Sequence, residues 1–149
     1  MKLALKYGLP VAFVFALAII IIRFGIGASG NSSASAIAPI AYNVAAICAI
    51  FLGIIRRKNE TDGQLNFKDG IKTGMGIVLV YATASCLFFV IEYLVAGPKL
   101  LLTEPGAAER PLWQTAVMAY AGLFFGSLIF GLVYSTLISF FLARRRSAN

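Results

Sequence analysis

Histidine is absent from this 149-residue chain, and with it the side chain that most often serves as general base or metal ligand near neutral pH. Acidic residues number six, and 13% of all residues are charged, against about 25% in a soluble domain. The two cysteines, Cys48 and Cys86, fall inside apolar runs. A disulfide is out of place there, and two thiols without histidine make no metal site, so both read as packing residues. No serine or cysteine has a partner base at recognisable spacing. Gly74-Met75-Gly76 lies inside an apolar run, not in a phosphate-cradling loop. These absences argue against catalysis, and no cofactor or metal is expected.

What the chain has is hydrophobic length. Hydrophobic residues make up 60% of it, gathered into four runs over about 7–27, 38–55, 73–96 and 113–142. A bilayer core about 30 Å thick needs roughly 20 residues of helix. All four runs reach or nearly reach that length, and the last two exceed it, which implies tilt or protrusion. Barrel strands would show short alternating runs instead. The expectation is an all-α, polytopic membrane protein: one domain, a four-transmembrane-helix bundle, with a cytoplasmic loop at 56–72 and outer loops at 28–37 and 97–112.

The net charge of +7 suggests nucleic acid until its distribution is read. Lys2, Lys6, Arg56, Arg57, Lys58, Lys68, Lys72, Arg144, Arg145 and Arg146 fall at the two termini and the middle loop. Arg23, Lys99 and Arg110 fall on the other side. Cytoplasmic segments carry the Lys/Arg excess, so both termini are expected inside. Anionic lipid headgroups are the expected partner of that face, and no nucleic acid is. The first run resembles a signal peptide in its Lys2/Lys6 start and in Ser33-Ala34-Ser35-Ala36. Its apolar stretch is longer than a usual h-region, so a retained helix is expected.

Several residues punctuate the spans. Pro10 is expected in the first turn of helix one and Pro39 near the first position of helix two, where a missing N–H matters little. Helix two is expected to stop at Arg56-Arg57-Lys58. Asn66 with Asp69 three residues on reads as a capping box opening helix three near Phe67. Gly97-Pro98 closes it. Residues 100–102 are too few to span and are expected against the outer interface, while Trp113 anchors helix four at headgroup level.

Small residues at helical spacing mark where membrane helices approach closely. Gly8, Ala12, Ala16, Arg23 and Gly27 share one face of helix one. Ala45, Ala49 and Gly53 share one of helix two, and Gly70, Gly74, Tyr81, Ser85 and Glu92 one of helix three. Helix four shows two such faces: Thr115, Ala119, Gly122 and Gly126 on one, Ser127, Gly131 and Ser135 opposite. One face serves the bundle. The other leaves room for a second copy or a membrane-protein partner through helix four. Gly8, Gly74, Gly122, Gly126 and Gly131 are the candidate packing residues.

Arg23 and Glu92 are charges within spans, both near the outer ends of their helices and both on small-residue faces. An unpaired charge at the bilayer centre costs roughly 2.5–3.5 kcal/mol even on the lenient scale, so an ion pair of matched depth is expected. Asn43, at similar depth on helix two, is a third candidate for that outer cluster.

The stretch from Arg56 to Gly74, with Gly63, Asn66-Phe67 and Gly70 inside it, and Lys6-Tyr7-Gly8-Leu9 opening helix one, resembles the domain-of-unknown-function 4199 family of small bacterial membrane proteins. A Gly-rich fourth helix with Gly126-Ser127-Leu128-Ile129-Phe130-Gly131 and the closing Arg144-Arg145-Arg146 agree with it. Pro10 and the short outer loop depart from the usual pattern. The resemblance implies four helices and a multi-pass location in the bacterial inner membrane, and it carries no activity to transfer. The functional expectation is a non-enzymatic membrane protein that acts by packing against a partner or itself. The alternative is a small transporter or channel using the Arg23/Glu92 region.

Overall fold

The second, third and fourth apolar runs each lie within a longer helix. A computed structural model of the chain describes residues 2–21, 32–97, 109 and 111–144. It contains α1 (Lys2–Ile21), α2 (Ser32–Glu60), α3 (Phe67–Ala96) and α4 (Leu112–Arg144), with no strand among the described residues. All four helices are long and apolar enough to cross a membrane. Arg23 and residues 100–102, which carried sequence expectations, lie outside the described residues.

The helices overrun their apolar runs. Helix one starts at Lys2, so Pro10 sits in its third turn and not its first. Helix two starts at Ser32, which puts Pro39 inside it, and continues through Arg56-Arg57-Lys58 to Glu60. Bilayer thickness limits the apolar run, but it does not end the helix. Lys and Arg side chains carry their charge to the interface from a helix that keeps going. Membrane helices also tolerate internal proline, because neighbouring groups satisfy the freed carbonyl. Arg56 and Arg57 both reach Glu60, at 3.6 and 3.7 Å, on the exposed last turn of α2, where such pairs are worth little.

The turn from α2 to α3 is short and tightly bonded. The Thr61 hydroxyl lies within hydrogen-bonding distance of the carbonyls of Lys58 (3.1 Å) and Gln64 (2.7 Å). Asp62 and Gly63 take positive φ angles of 52° and 77°. Asn66 then occupies the N-cap position with extended backbone, but its side chain makes no capping bond. The expected capping box is therefore not formed from the Asn66 side. A cap residue bonds its helix in one rotamer only, and here the start is fixed by the Asn66 carbonyl, which accepts from Gly70 N at 3.0 Å. Asp69 remains in the first turn, where its charge suits the helix dipole. At the far end Gly97, at φ 74°, donates its N–H to the Tyr93 carbonyl.

Helix three is the centre of the bundle. It packs against each of the other three, most extensively against α4 and α1. Its Ile77, Val78, Tyr81, Ala82 and Ser85 are almost fully buried, with Val11 of α1 and Ala46, Ile50 and Ile54 of α2 against them. The expected α3 stripe of Gly70, Gly74, Tyr81, Ser85 and Glu92 is buried throughout.

Glycines set the spacing. Along the antiparallel α3/α4 seam, every fourth residue up one helix meets every fourth residue down the other. Gly70 faces Ser139, Gly74 faces Ser135, and Gly131 faces Val78. This is packing along the four-residue ridges of both helices. A Cβ on Gly74 would sit 2.7 Å from the Ser135 Cβ, and one on Gly8 would sit 3.0 Å from the backbone carbonyl of Ile77. Gly122 and Gly126 do not take part, since among the described residues nothing lies within 4 Å of where their Cβ atoms would be. They are corrected from packing residues to an open face. Thr115, expected on their side, is buried instead. It stands on the same four-residue ladder as Ser127, Gly131 and Ser135. That ladder drifts around the helix as the two axes cross, and a fixed-angle face does not follow it. Cys48 is exposed and so is not the packing residue expected, while Cys86 is partly buried.

Gly74→Ala is expected to destabilise the bundle by about 1–3 kcal/mol, as overpacking does, and Ser135→Gly in the same chain to restore part of it. Gly126→Ala is expected to stay within about 0.5 kcal/mol, since it meets nothing. Thermal unfolding in detergent checks both, and equal losses at Gly74 and Gly126 would contradict the seam. Asn66→Ala is likewise expected to change stability by less than about 0.5 kcal/mol, against about 1 kcal/mol for a bonded cap.

Candidate functional site

Polar side chains meet half-way along the helices. Tyr81 stands mid-way in α3, Ser127 mid-way in α4, and Tyr42 and Asn43 face them from α2. The Tyr42 hydroxyl is 3.1 Å from the Ser127 hydroxyl. The Tyr42 ring meets Tyr81 edge-on at 5.7 Å and Phe15 of α1 at 5.1 Å. Tyr134 donates its hydroxyl to the Asn43 Oδ1 at 3.2 Å, and the Asn43 amide donates to the Pro39 carbonyl at 2.8 Å. Fully buried Ser85 lies beside Tyr42. A cavity of about 170 Å³ opens next to this cluster, lined by Tyr42, Asn43, Tyr81, Gly122, Gly126 and Ser127 among others. Gly122 and Gly126 form its bare rim.

Local sequence explains the arrangement. Tyr42-Asn43 are adjacent, so they point to neighbouring directions around α2, one to Ser127 and one to Tyr134. Apolar residues surround them, and leaving a buried hydroxyl or amide unpaired in hydrocarbon costs free energy that these bonds offset. These side chains can donate to or accept from a carbonyl or hydroxyl of a small molecule. None of them carries charge at neutral pH.

The outer cluster differs from expectation. Glu92 is 9% exposed and buried toward α4, within electrostatic reach of the Tyr120 hydroxyl. Tyr120 stacks edge-on with Phe89 at 5.1 Å and donates a long bond of 3.5 Å to its carbonyl. Arg23, the expected partner, is outside the described residues. Asn43 does not join Glu92. It sits at the level of Tyr81, eleven residues and so roughly 16 Å along α3 from Glu92, and bonds Tyr134 instead. The reason is direction: Asn43 points toward α4, where a tyrosine hydroxyl reaches it. Tyr42, Tyr81, Ser127 and Tyr134 were not singled out from the sequence as a cluster. Their common signal was a hydrogen-bonding group near the middle of an apolar run. No group of three or more metal-ligating side chains occurs among the described residues.

Four apolar helices around a buried polar centre define a multi-pass membrane protein of the four-helix kind. The chain belongs to the family described as protein of unknown function (DUF4199), whose model matches residues 6–103, from the first turns of α1 through α3 and beyond. No curated protein and no solved structure matches it.

The Tyr42–Ser127 bond is open to measurement. A double-mutant cycle of Tyr42→Phe and Ser127→Ala is expected to give a coupling of about 0.6 kcal/mol, the usual size for hydrogen bonds between membrane helices. Additive losses would mean that the two hydroxyls are near but not bonded.

Proposed function

We propose that this is a non-enzymatic protein of the bacterial inner membrane that works by binding another membrane helix along the open face of α4, as a subunit or accessory of a complex or as a homo-oligomer. The observation that carries this reading is the bare backbone at Gly122 and Gly126. Two glycines one turn apart let a neighbouring helix approach closely, and among the described residues no atom lies within 4 Å of where their Cβ atoms would be. They stand on the least buried of the four spans: an apolar 18-residue stretch of α4 is 11% buried, against 33% for the corresponding stretch of α3. The lack of histidine and of a nucleophile–base pair supports a role without catalysis. Fluorescence transfer between labelled copies in vesicles tests the homomeric form. Self-association that Gly122→Leu/Gly126→Leu abolishes is the expected result. If the wild type is monomeric, a photo-crosslinker at Gly126 in native membranes tests the heteromeric form, and no adduct there would sink the reading.

The mid-bundle cluster and its cavity favour one second reading, a small transporter or channel for an uncharged solute. Intramembrane polar groups commonly line such paths. Here the supporting groups are Tyr42, Asn43 and Ser127, in place of the Arg23/Glu92 region. Solute flux in proteoliposomes that Asn43→Leu blocks would favour it over partner binding.

The orientation we propose places both termini and the α2–α3 turn in the cytoplasm, because ten of the thirteen basic residues gather there. A reporter active only in the cytoplasm is expected to work when fused after Asn149. Activity of a periplasm-dependent reporter at that position would reverse the assignment.

A further inference from the structure

At the basic end of the bundle a second, larger cavity of about 350 Å³ lies between the last turn of α2, the α2–α3 turn and the last turn of α4. Its polar side is made by Lys58, Gln64 and Asn66, and its apolar side by Leu65 and Leu142. The site is independent of the α4 face and of the mid-bundle cluster.

Lys58 is held in place. Its ammonium donates to the Leu142 carbonyl at 3.0 Å and is part-buried, which spans from α2 to the end of α4 and complements that helix end. An ammonium has three donors, so two remain for a ligand. Asn66 makes no bond to its own helix start, which leaves its carboxamide available to the cavity it lines. The floor is the bonded turn, with Gly63 N donating to the Lys58 carbonyl at 3.0 Å and Gln64 N to the Thr61 carbonyl at 2.9 Å. Leu65 and Leu142 pack partly into the bundle core, so the apolar wall continues the hydrophobic surface of the spans. No carboxylate lines the cavity among the described residues. Asp62 adjoins Gly63 in the turn but is exposed and is not part of the lining, and Glu60 is engaged by Arg56 and Arg57 on the exposed side.

We propose that this cavity binds the phosphate of an anionic glycerophospholipid. Lys58 supplies the charge, the Gln64 and Asn66 amides donate hydrogen bonds, and Leu65 and Leu142 lie against the start of the acyl chains. Three observations select this ligand. A single lysine balances the one negative charge of a phosphodiester. The leucine wall has no use for a soluble phosphate. The missing carboxylate leaves nothing to pair with the ammonium of a zwitterionic headgroup. The depth also agrees, since Lys58 stands one turn beyond Ile54 in α2, where the apolar run meets the interface.

Native mass spectrometry of the full chain in detergent, with phosphatidylglycerol or phosphatidylcholine added, tests the site. Phosphatidylglycerol is expected to bind and phosphatidylcholine not to. Lys58→Gln and Asn66→Asp are each expected to weaken phosphatidylglycerol about fivefold, the effect of one charge at an anionic surface. Lys72→Gln, on the exposed side of α3, should leave binding unchanged. Asp caps a helix as well as Asn, so Asn66→Asp is expected to unfold at or above the wild-type temperature without lipid, which separates lost binding from lost folding. Equal binding of the two lipids, unchanged binding by Asn66→Asp, or an equal loss in Lys72→Gln would overturn the site in favour of a diffuse basic face. Displacement of the lipid by millimolar inorganic phosphate would overturn the lipid in favour of a soluble anion.

Discussion

Backbone-to-backbone approach of α3 to its neighbours is the constraint on which the bundle rests. In a bilayer the hydrophobic effect does not drive helices together, because lipid chains are as apolar as leucine. Dispersion between closely apposed helices does, and it is lost steeply with a gap of even 1 Å. Gly70, Gly74 and Gly131 remove the side chains that would hold α3 and α4 apart, and Gly8 does the same for α1. The buried hydroxyls of Ser135 and Ser139, seated against these glycines, have no hydrogen-bond partner among the described residues. They act at the seam as small spacers.

The close seam also shapes what lies beside it. With α3 and α4 drawn together at Gly74 and Gly131, Tyr81 and Ser127 come level with each other half-way along. Helix two then supplies Tyr42 and Asn43 from the side. Helix α2 packs less extensively against α4 than α3 does, and the mid-bundle cavity opens at that looser contact. The polar centre and the open glycine rim are thus two results of one packing choice.

Much of this was legible in the sequence and some was not, for definable reasons. Four apolar runs foretold four helices, because hydrocarbon thickness leaves little choice. The α3 stripe foretold its buried face, since one small-residue stripe offers one solution. Helix four carried two small faces, and spacing alone could not say which one α3 would take; Ser127–Gly131–Ser135 won, leaving Gly122 and Gly126 open. Asn66 was placed at the helix start by its type, but residue type does not choose a rotamer. Pro10 and Pro39 were read as first-turn residues because the span was equated with the helix. Asn43 was grouped with Glu92 by depth, when the direction of its side chain decides its partner.

The central position of α3 bears on how the protein is made. Helices α1, α2 and α3 all touch one another, so the first three spans make mutual contacts that do not need the fourth. Helix α4 follows them in the chain and packs on a surface of α3 where Gly70 and Gly74 stand one turn apart. It is held there by the α3 seam, by the Tyr42–Ser127 and Asn43–Tyr134 bonds to α2, and by Lys58 at its far end. A chain with α1, α2 and α3 inserted alone would therefore present the α4 groove to lipid, and α4 is the latch that covers it.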